Sequence, residues 1–212
     1  MGKGTTELVF ILDKSGSMSG LEDDTVQSFN SMLHRQKNED GRCTITTVLF
    51  NTYCKILYDH LDIQQVVPMT RESFAAQGCT ALLDAIGSTI GHIENLHHTA
   101  YPDEIPEQTL FVIITDGMEN ASRIYSRGQV RAMIKRKQAH SHWEFLFLGA
   151  NMDAIHAASR IGIQKDHAVT FTNDTRGIAT NYAAISEAIR IFRSRNVLSA
   201  TWKSSIEKDH NR

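Results

Sequence analysis

Cysteine is scarce in this chain, with Cys43, Cys54 and Cys79 as three thiols among 212 residues. That number excludes a disulfide-stapled scaffold, which needs denser and even cysteines. A chain of this length buries enough surface to do without staples. The stretches from Arg42 to Phe50 and from Tyr53 to Leu61 read as two strands joined by a turn at Asn51 and Thr52, a register that sets Cys43 opposite His60 and Cys54 opposite Leu49. Reduced thiols in a cytoplasmic compartment are therefore expected. Proline is equally sparse, with 3 against 13 Gly, which rules out fibrous repeats and Pro/Gly-rich disorder. No apolar run approaches the roughly 18 residues of a membrane helix. The first one, Leu8 to Leu12, is short, ends at Asp13 and follows no basic region, so neither a span nor a secretory leader is expected. Met1, Gly2 and Thr6 fit a loose myristoylation template, but the first strand begins almost at once and no membrane attachment is expected. Net charge is also nearly missing: 22 Lys and Arg minus 24 Asp and Glu leaves −2, which gives no global field for nucleic acid or an anionic membrane.

What is present is an alternation of short apolar runs with longer segments of helical period, the pattern of a doubly wound α/β sheet. Strands are predicted at Glu7 to Asp13, Arg42 to Phe50, Tyr53 to Leu61, Gln108 to Thr115, Trp143 to Leu148 and His167 to Phe171. Four of them are apolar at consecutive positions, as strands covered on both faces must be. Between them run helical stripes: Val26, Phe29, Met32 and Leu33; Leu82, Leu83, Ile86, Ile90 and Ile93; Val130, Met133 and Ile134; and Ile178, Tyr182, Ile185, Ile189 and Phe192. Gly87 and Gly91 interrupt the second stripe, and their spacing predicts close packing against a neighbour. No repeat or linker divides the chain. Residues 1–212 are expected to form a single domain, with a core from about 6 to 195 and a flexible tail over about 197–212.

In open α/β sheets, ligands bind outside the carboxyl ends of the strands. There the sequence places Asp13-Lys14-Ser15-Gly16-Ser17, Thr115-Asp116-Gly117 and, before the second long helix, Gly78-Cys79-Thr80. Asp13, Ser15, Ser17, Thr80 and Asp116 offer two carboxylates and three hydroxyls. These are hard oxygen donors of the kind Mg2+ or Mn2+ prefers. Asp and Ser at such turns also serve simply as helix caps, but three turns converging in this order favour a metal site. The acids of Glu22-Asp23-Asp24 suit a helix start, and Glu119 and Asn120 suit capping beside the site. Cys79, next to Thr80, is open to oxidation but has no identifiable base.

These residues resemble the von Willebrand factor type A domain, whose metal-ion-dependent adhesion site joins an Asp-x-Ser-x-Ser loop to a distant Thr and a distant Asp. The Gly-x-Thr-x-Leu-x-Asp-Ala string from Gly78 to Ala85 agrees. The resemblance covers residues 6 to about 195 and is to the stand-alone, intracellular microbial type. It implies an α/β fold with a doubly wound, mostly parallel six-stranded sheet of order 3-2-1-4-5-6, strand 3 antiparallel, and helices on both faces. It also implies a metal-dependent protein-binding module, not an enzyme, which holds Mg2+, or else Mn2+ or Ca2+, at Asp13, Ser15, Ser17, Thr80 and Asp116. A protein partner would supply a Glu or Asp carboxylate to complete the coordination.

The rival is a haloacid dehalogenase-like Mg2+-dependent phosphohydrolase, which also sets an Asp at a strand end. Its motif wants a second Asp two residues on, where this chain has Ser15. No P-loop sequence occurs. Arg127, Arg131 and Lys135 step by four along one helix face. With no aromatic interleaving they are expected to be a solvated face rather than a surface for an acidic protein or a nucleic acid backbone. The ten histidines include no His-x3-His helix pair and are not expected to hold zinc.

Overall fold

A computed structural model describes residues 4–212, so Met1 and Gly2 of the myristoylation template lie outside the described residues. Among these residues six strands form one sheet: β1 (Thr6–Asp13), β2 (Cys43–Phe50), β3 (Cys54–Asp62), β4 (Gln108–Thr115), β5 (Trp143–Ala150) and β6 (Ala168–Phe171). Their order is β3-β2-β1-β4-β5-β6. Only the β2–β3 hairpin is antiparallel. The helices are α1 (Glu22–Lys37), α2 (Leu82–Thr99), α3 (Arg127–His140), α4 (Ala154–Arg160), α5 (Thr175–Arg195) and α6 (Ser204–His210).

The consecutive apolar residues of the central strands feed two cores. Leu8, Phe10 and Leu12 of β1 point to one face and pack with Phe29 of α1 and Ile185 and Ile189 of α5. Val9 and Ile11 point to the other and pack with Ile86 and Ile90 of α2 and Val130 of α3. β4 divides in the same way, with Leu110, Val112 and Ile114 on the first face and Phe111 and Ile113 on the second. A strand residue alternates sides, so only a strand covered on both sides is apolar throughout. Aromatic pairs lock both layers: Phe10 meets Phe29 edge-on at 5.4 Å, and Phe111 stacks on Phe145 at 4.8 Å.

Two sequence expectations need correction. The hairpin register is not uniform, because irregularities between Ile45 and Thr47 and between Thr47 and Val48 shift it. Cys54 therefore pairs with Phe50 rather than Leu49, and the ladder ends at Thr44 and Asp62 before reaching Cys43. All three thiols are nonetheless free. The close packing expected at Gly87 is present: a Cβ there would collide with the ring of Tyr125, in the loop before α3. The segment after Asn196 is not a flexible tail. Asn196 ends α5 in the left-handed conformation at φ 53°, and a 3-10 turn and α6 follow. Trp202 and Ile206 are buried in the first core, and Arg176 of α5 lies 2.9 Å from Asp209 of α6. A seven-residue helix whose one buried apolar side chain is Ile206 carries too little periodicity to stand out in sequence, and α4, with only Ala154 and Ala158 buried, is no clearer. In the loops at the carboxyl edge, Gly78 takes the left-handed conformation at φ 79°.

Candidate metal centre

β1 and β4 run parallel and end side by side, so Asp13, the last residue of β1, and Asp116, just past β4, meet at the carboxyl edge of the sheet. Backbone bonds draw in the third segment: Gly16 N donates to Gly78 O at 3.0 Å and Gln77 N to Lys14 O at 2.9 Å. The loop before α3 holds the same segment from the other side. Thr80 N donates to Asn120 Oδ1 at 2.9 Å, and Asn120 N donates back to Thr80 O at 3.1 Å.

The side chains then form a chain of contacts. Ser15 N donates to Asp13 Oδ1 at 2.7 Å, which folds the turn back on its own carboxylate. The hydroxyls of Ser15 and Ser17 lie 3.1 Å apart, and Ser17 Oγ donates to Asp116 Oδ1 at 2.7 Å. A Cβ on Gly117 would lie 2.9 Å from Thr80 Oγ1 and 3.5 Å from Ser17 Oγ, so those two hydroxyls share a small space that only glycine leaves open. All five predicted residues thus converge. Asp13, Ser15, Thr80 and Asp116 are buried, and only Ser17 is exposed, which gives the cluster one side open to solvent.

Burial pushes the Asp13 carboxyl above its ordinary range. Bonds from Thr115 Oγ1 at 2.6 Å and from Ser15 pull it back down only in part, and the charge of Asp116 raises it further. Burial likewise raises the Asp116 carboxyl against its bonds from Ser17 and Asn173. Two desolvated carboxylates of like charge, ringed by hydroxyls and with no basic side chain among their bonded partners, suit a divalent cation. The donor set is all oxygen, which fits Mg2+, Mn2+ or Ca2+ better than a soft metal.

Sequence reasoning missed several supporting residues. Asn173, between β6 and α5, donates from Nδ2 to Asp116 Oδ2 at 3.0 Å, and Thr115 holds the second oxygen of Asp13. Asn51, at the hairpin turn, donates from Nδ2 to Gln77 O at 2.9 Å. Thr115 stood beside Asp116 in the motif, whereas Asn173 carries no local signal. Glu119 takes the capping role expected of it, accepting from Leu83 N at 2.8 Å. Asp84 of the Gly-x-Thr string accepts from the N–H groups of Arg123, Ile124 and Tyr125 at 2.8–2.9 Å. Burial alone would raise that carboxyl, but the three bonds hold it below its ordinary range. The clasp fixes the loop that carries Asp116 onto the start of α2.

Two of the histidines are engaged with one buried acid far from this centre. His60 Nδ1 and His97 Nε2 each lie 2.7 Å from one oxygen of Glu7, which is fully buried near the start of β1. Among the described residues no three His, Cys, Asp or Glu side chains group to hold a metal; the candidate centre has only two such acids. On the basic stripe, Arg131 Nη1 donates to Ser159 O at 3.0 Å.

No protein-family model matches the sequence. No curated protein matches it. Solved structures do. Proximal thread matrix protein 1 from the mussel byssus, with a zinc-occupied MIDAS motif, is 13% identical over 87% of this chain and 48% of that one, at a TM-score of 0.61. A von Willebrand factor type A protein from Catenulispora acidiphila is 14% identical over 88% and 42%, at 0.57. The vWF domain of the type V pili tip protein Mfa5 from Porphyromonas gingivalis is 11% identical over 94% of this chain and 99% of that one, at 0.61. The chain thus spans less than half of the first two structures and nearly all of the third. The likeness shows that the fold is of the von Willebrand factor A type, with the sheet order expected from the sequence. Among the described residues no helix is long and apolar enough to cross a membrane.

Proposed function

We propose that this chain is a metal-dependent protein-binding module in which Asp13, Ser15, Ser17, Thr80 and Asp116 hold one divalent cation and a partner's Glu or Asp carboxylate completes the site. The observation that carries this is the pairing of two buried carboxylates with three hydroxyls at the carboxyl edge of a von Willebrand factor A-type sheet, open to solvent on the Ser17 side. The two acids match the charge of a divalent ion, and Ser15, Ser17 and Thr80 add neutral oxygen donors. A bound Mg2+ or Mn2+ would supply a Lewis-acid position for one carboxylate oxygen from outside. Asn173 and Thr115 hold the two acids in place, so that binding would cost little reorganisation. The three free thiols fit the reducing, cytoplasmic compartment expected from the cysteine count.

We infer a binder and not a catalyst because Ser15 stands where a dehalogenase-like hydrolase needs its general acid. The test is thermal melting with and without Mg2+ or Mn2+. At about one hundred times Kd a ligand adds about 2.7 kcal/mol, a rise of about 5–10 °C for a chain of this size. Wild type should show this rise and Asp13→Ala should not. Equal curves for the two proteins would refute metal binding at the centre. Mg2+-dependent turnover of p-nitrophenyl phosphate that is lost in Asp13→Ala would replace the binding reading with the hydrolase.

A further inference from the structure

Directly beside the metal loops lies a groove of about 260 Å3 between the start of α2, the loop after β4 and α4. Its floor is apolar, built from Leu83, Phe147, Met152 and Ile161. Met118, two residues after Asp116, lines its edge with 71% of its surface exposed. A large apolar side chain left this open beside an apolar groove lacks the cover that buried methionines receive.

Two acids and two guanidiniums line the groove, and they differ in how they are engaged. Glu119 is a lining acid, but its carboxylate is consumed by four donors: the N–H groups of Leu83, Ala121 and Ser122, and the Ser122 hydroxyl. Asp153 caps α4 by accepting from His156 N. Arg127 and Arg160 also line the groove, are exposed, and have no ion-pair partner among the described residues. Arg127 is exposed, as expected of a solvated stripe, and unlike Arg131 it makes no bond to a neighbouring element.

We propose that this groove seats an apolar side chain of an acidic peptide segment of the protein partner, with Arg127 and Arg160 taking further carboxylates of the same segment. The proposal rests on the reading of the neighbouring centre as the receptor for that segment's first carboxylate. Continuity supports it: Thr80 and Leu83 lie on one stretch of chain, as do Asp116 and Met118, so a single extended segment can run from the centre into the groove. Charge complementarity supports it as well, because two unpaired guanidinium groups favour an acidic ligand and fork onto carboxylates.

The experiment uses a synthetic library of octapeptides with a fixed central Glu and randomised flanks, captured on the immobilised full chain in Mn2+ and identified by mass spectrometry. Wild type should enrich Leu, Ile, Met or Phe to one side of the fixed Glu, together with further Asp or Glu. Arg127→Glu plus Arg160→Glu should lose the acidic preference and bind the best wild-type peptide about tenfold more weakly. Met118→Gln should lose the apolar preference. Melting with Mn2+ checks that each variant is folded and still senses metal. The groove proposal fails if wild type shows no preference beyond the fixed Glu, if either variant keeps the wild-type preference, or if no peptide is captured at all. Failure of the metal reading looks different: Asp13→Ala would capture the same peptides as wild type, and the two groove variants would still alter the selection.

Discussion

The Ser17 hydroxyl donates to Asp116 Oδ1 at 2.7 Å across a separation of 99 residues, and this bond links the two acidic poles of the candidate centre. On either side of it, Asp13 and Asp116 are held where burial disfavours their charge. A carboxyl raised in the folded state withdraws stability as pH climbs through its folded value, so without a cation the site opposes the fold that builds it. We expect Asp13→Asn to melt above wild type in chelator at neutral pH. Ser15 N keeps its acceptor, and Thr115 Oγ1 can turn to accept from the new amide. With Mg2+ the order should reverse, because only wild type gains from the ion. Melting of Asp13→Asn below wild type in chelator would show that the carboxylates are not in tension.

The two glycines of α2 should respond oppositely to alanine. Each substitution gains about 1 kcal/mol of helix propensity. At Gly91 the new Cβ meets only Tyr125 Oη at 4.0 Å, an ordinary contact, so Gly91→Ala should be stabilising. At Gly87 it drives into the Tyr125 ring, and overpacking costs about 1–3 kcal/mol. Urea titration of both variants should therefore move the midpoint up for Gly91→Ala and down for Gly87→Ala. Movement in the same direction would mean that the ring yields freely.

Glu7 sets a pH window for stability. Burial would raise its carboxyl, but bonds and charge from His60 and His97 hold it below the ordinary 4.5. The bond to Glu7 raises His60 above the ordinary 6.5, against burial. The Glu7 contribution is present above its unfolded value and lost as pH falls through its lowered folded value. The His60 contribution is present below its unfolded value and lost as pH rises through its raised folded value. Both are in force between pH 4.5 and 6.5. Melting temperature across pH 4–9 should peak near that window in chelator, and His60→Gln should flatten the alkaline side of the peak. An unchanged alkaline slope in His60→Gln would remove His60 as the cause.

Deletion of residues 197–212 should weaken the protein. Trp202 and Ile206 are 8% and 1% exposed in the first core, and fully burying such side chains contributes about 1.5–3 kcal/mol each. Denaturant unfolding of the truncated chain is expected to show a loss of about 3–6 kcal/mol. A loss below about 1 kcal/mol would restore the flexible tail that the sequence suggests.

The sequence by itself determined the strands, the long helices and the five converging side chains. Leu8 to Leu12 could be read as a doubly covered strand because five consecutive apolar residues, stopped at Asp13, suit the length of a strand buried on both faces. Asp13, Ser15, Ser17, Thr80 and Asp116 could be read because their types and order fall at strand ends, where an α/β sheet opens. Tertiary structure alone decided what depends on residues far apart in the chain. Asn173 is 57 residues from the Asp116 it holds, and His60 and His97 are 53 and 90 from Glu7. Tyr125 determines which glycine of α2 is indispensable, and α6 is held by Ile206 in a core built from elements distant in sequence. Local periodicity records which face of an element is buried. It does not record which distant side chain will meet that face, because that contact exists only after the layers have packed.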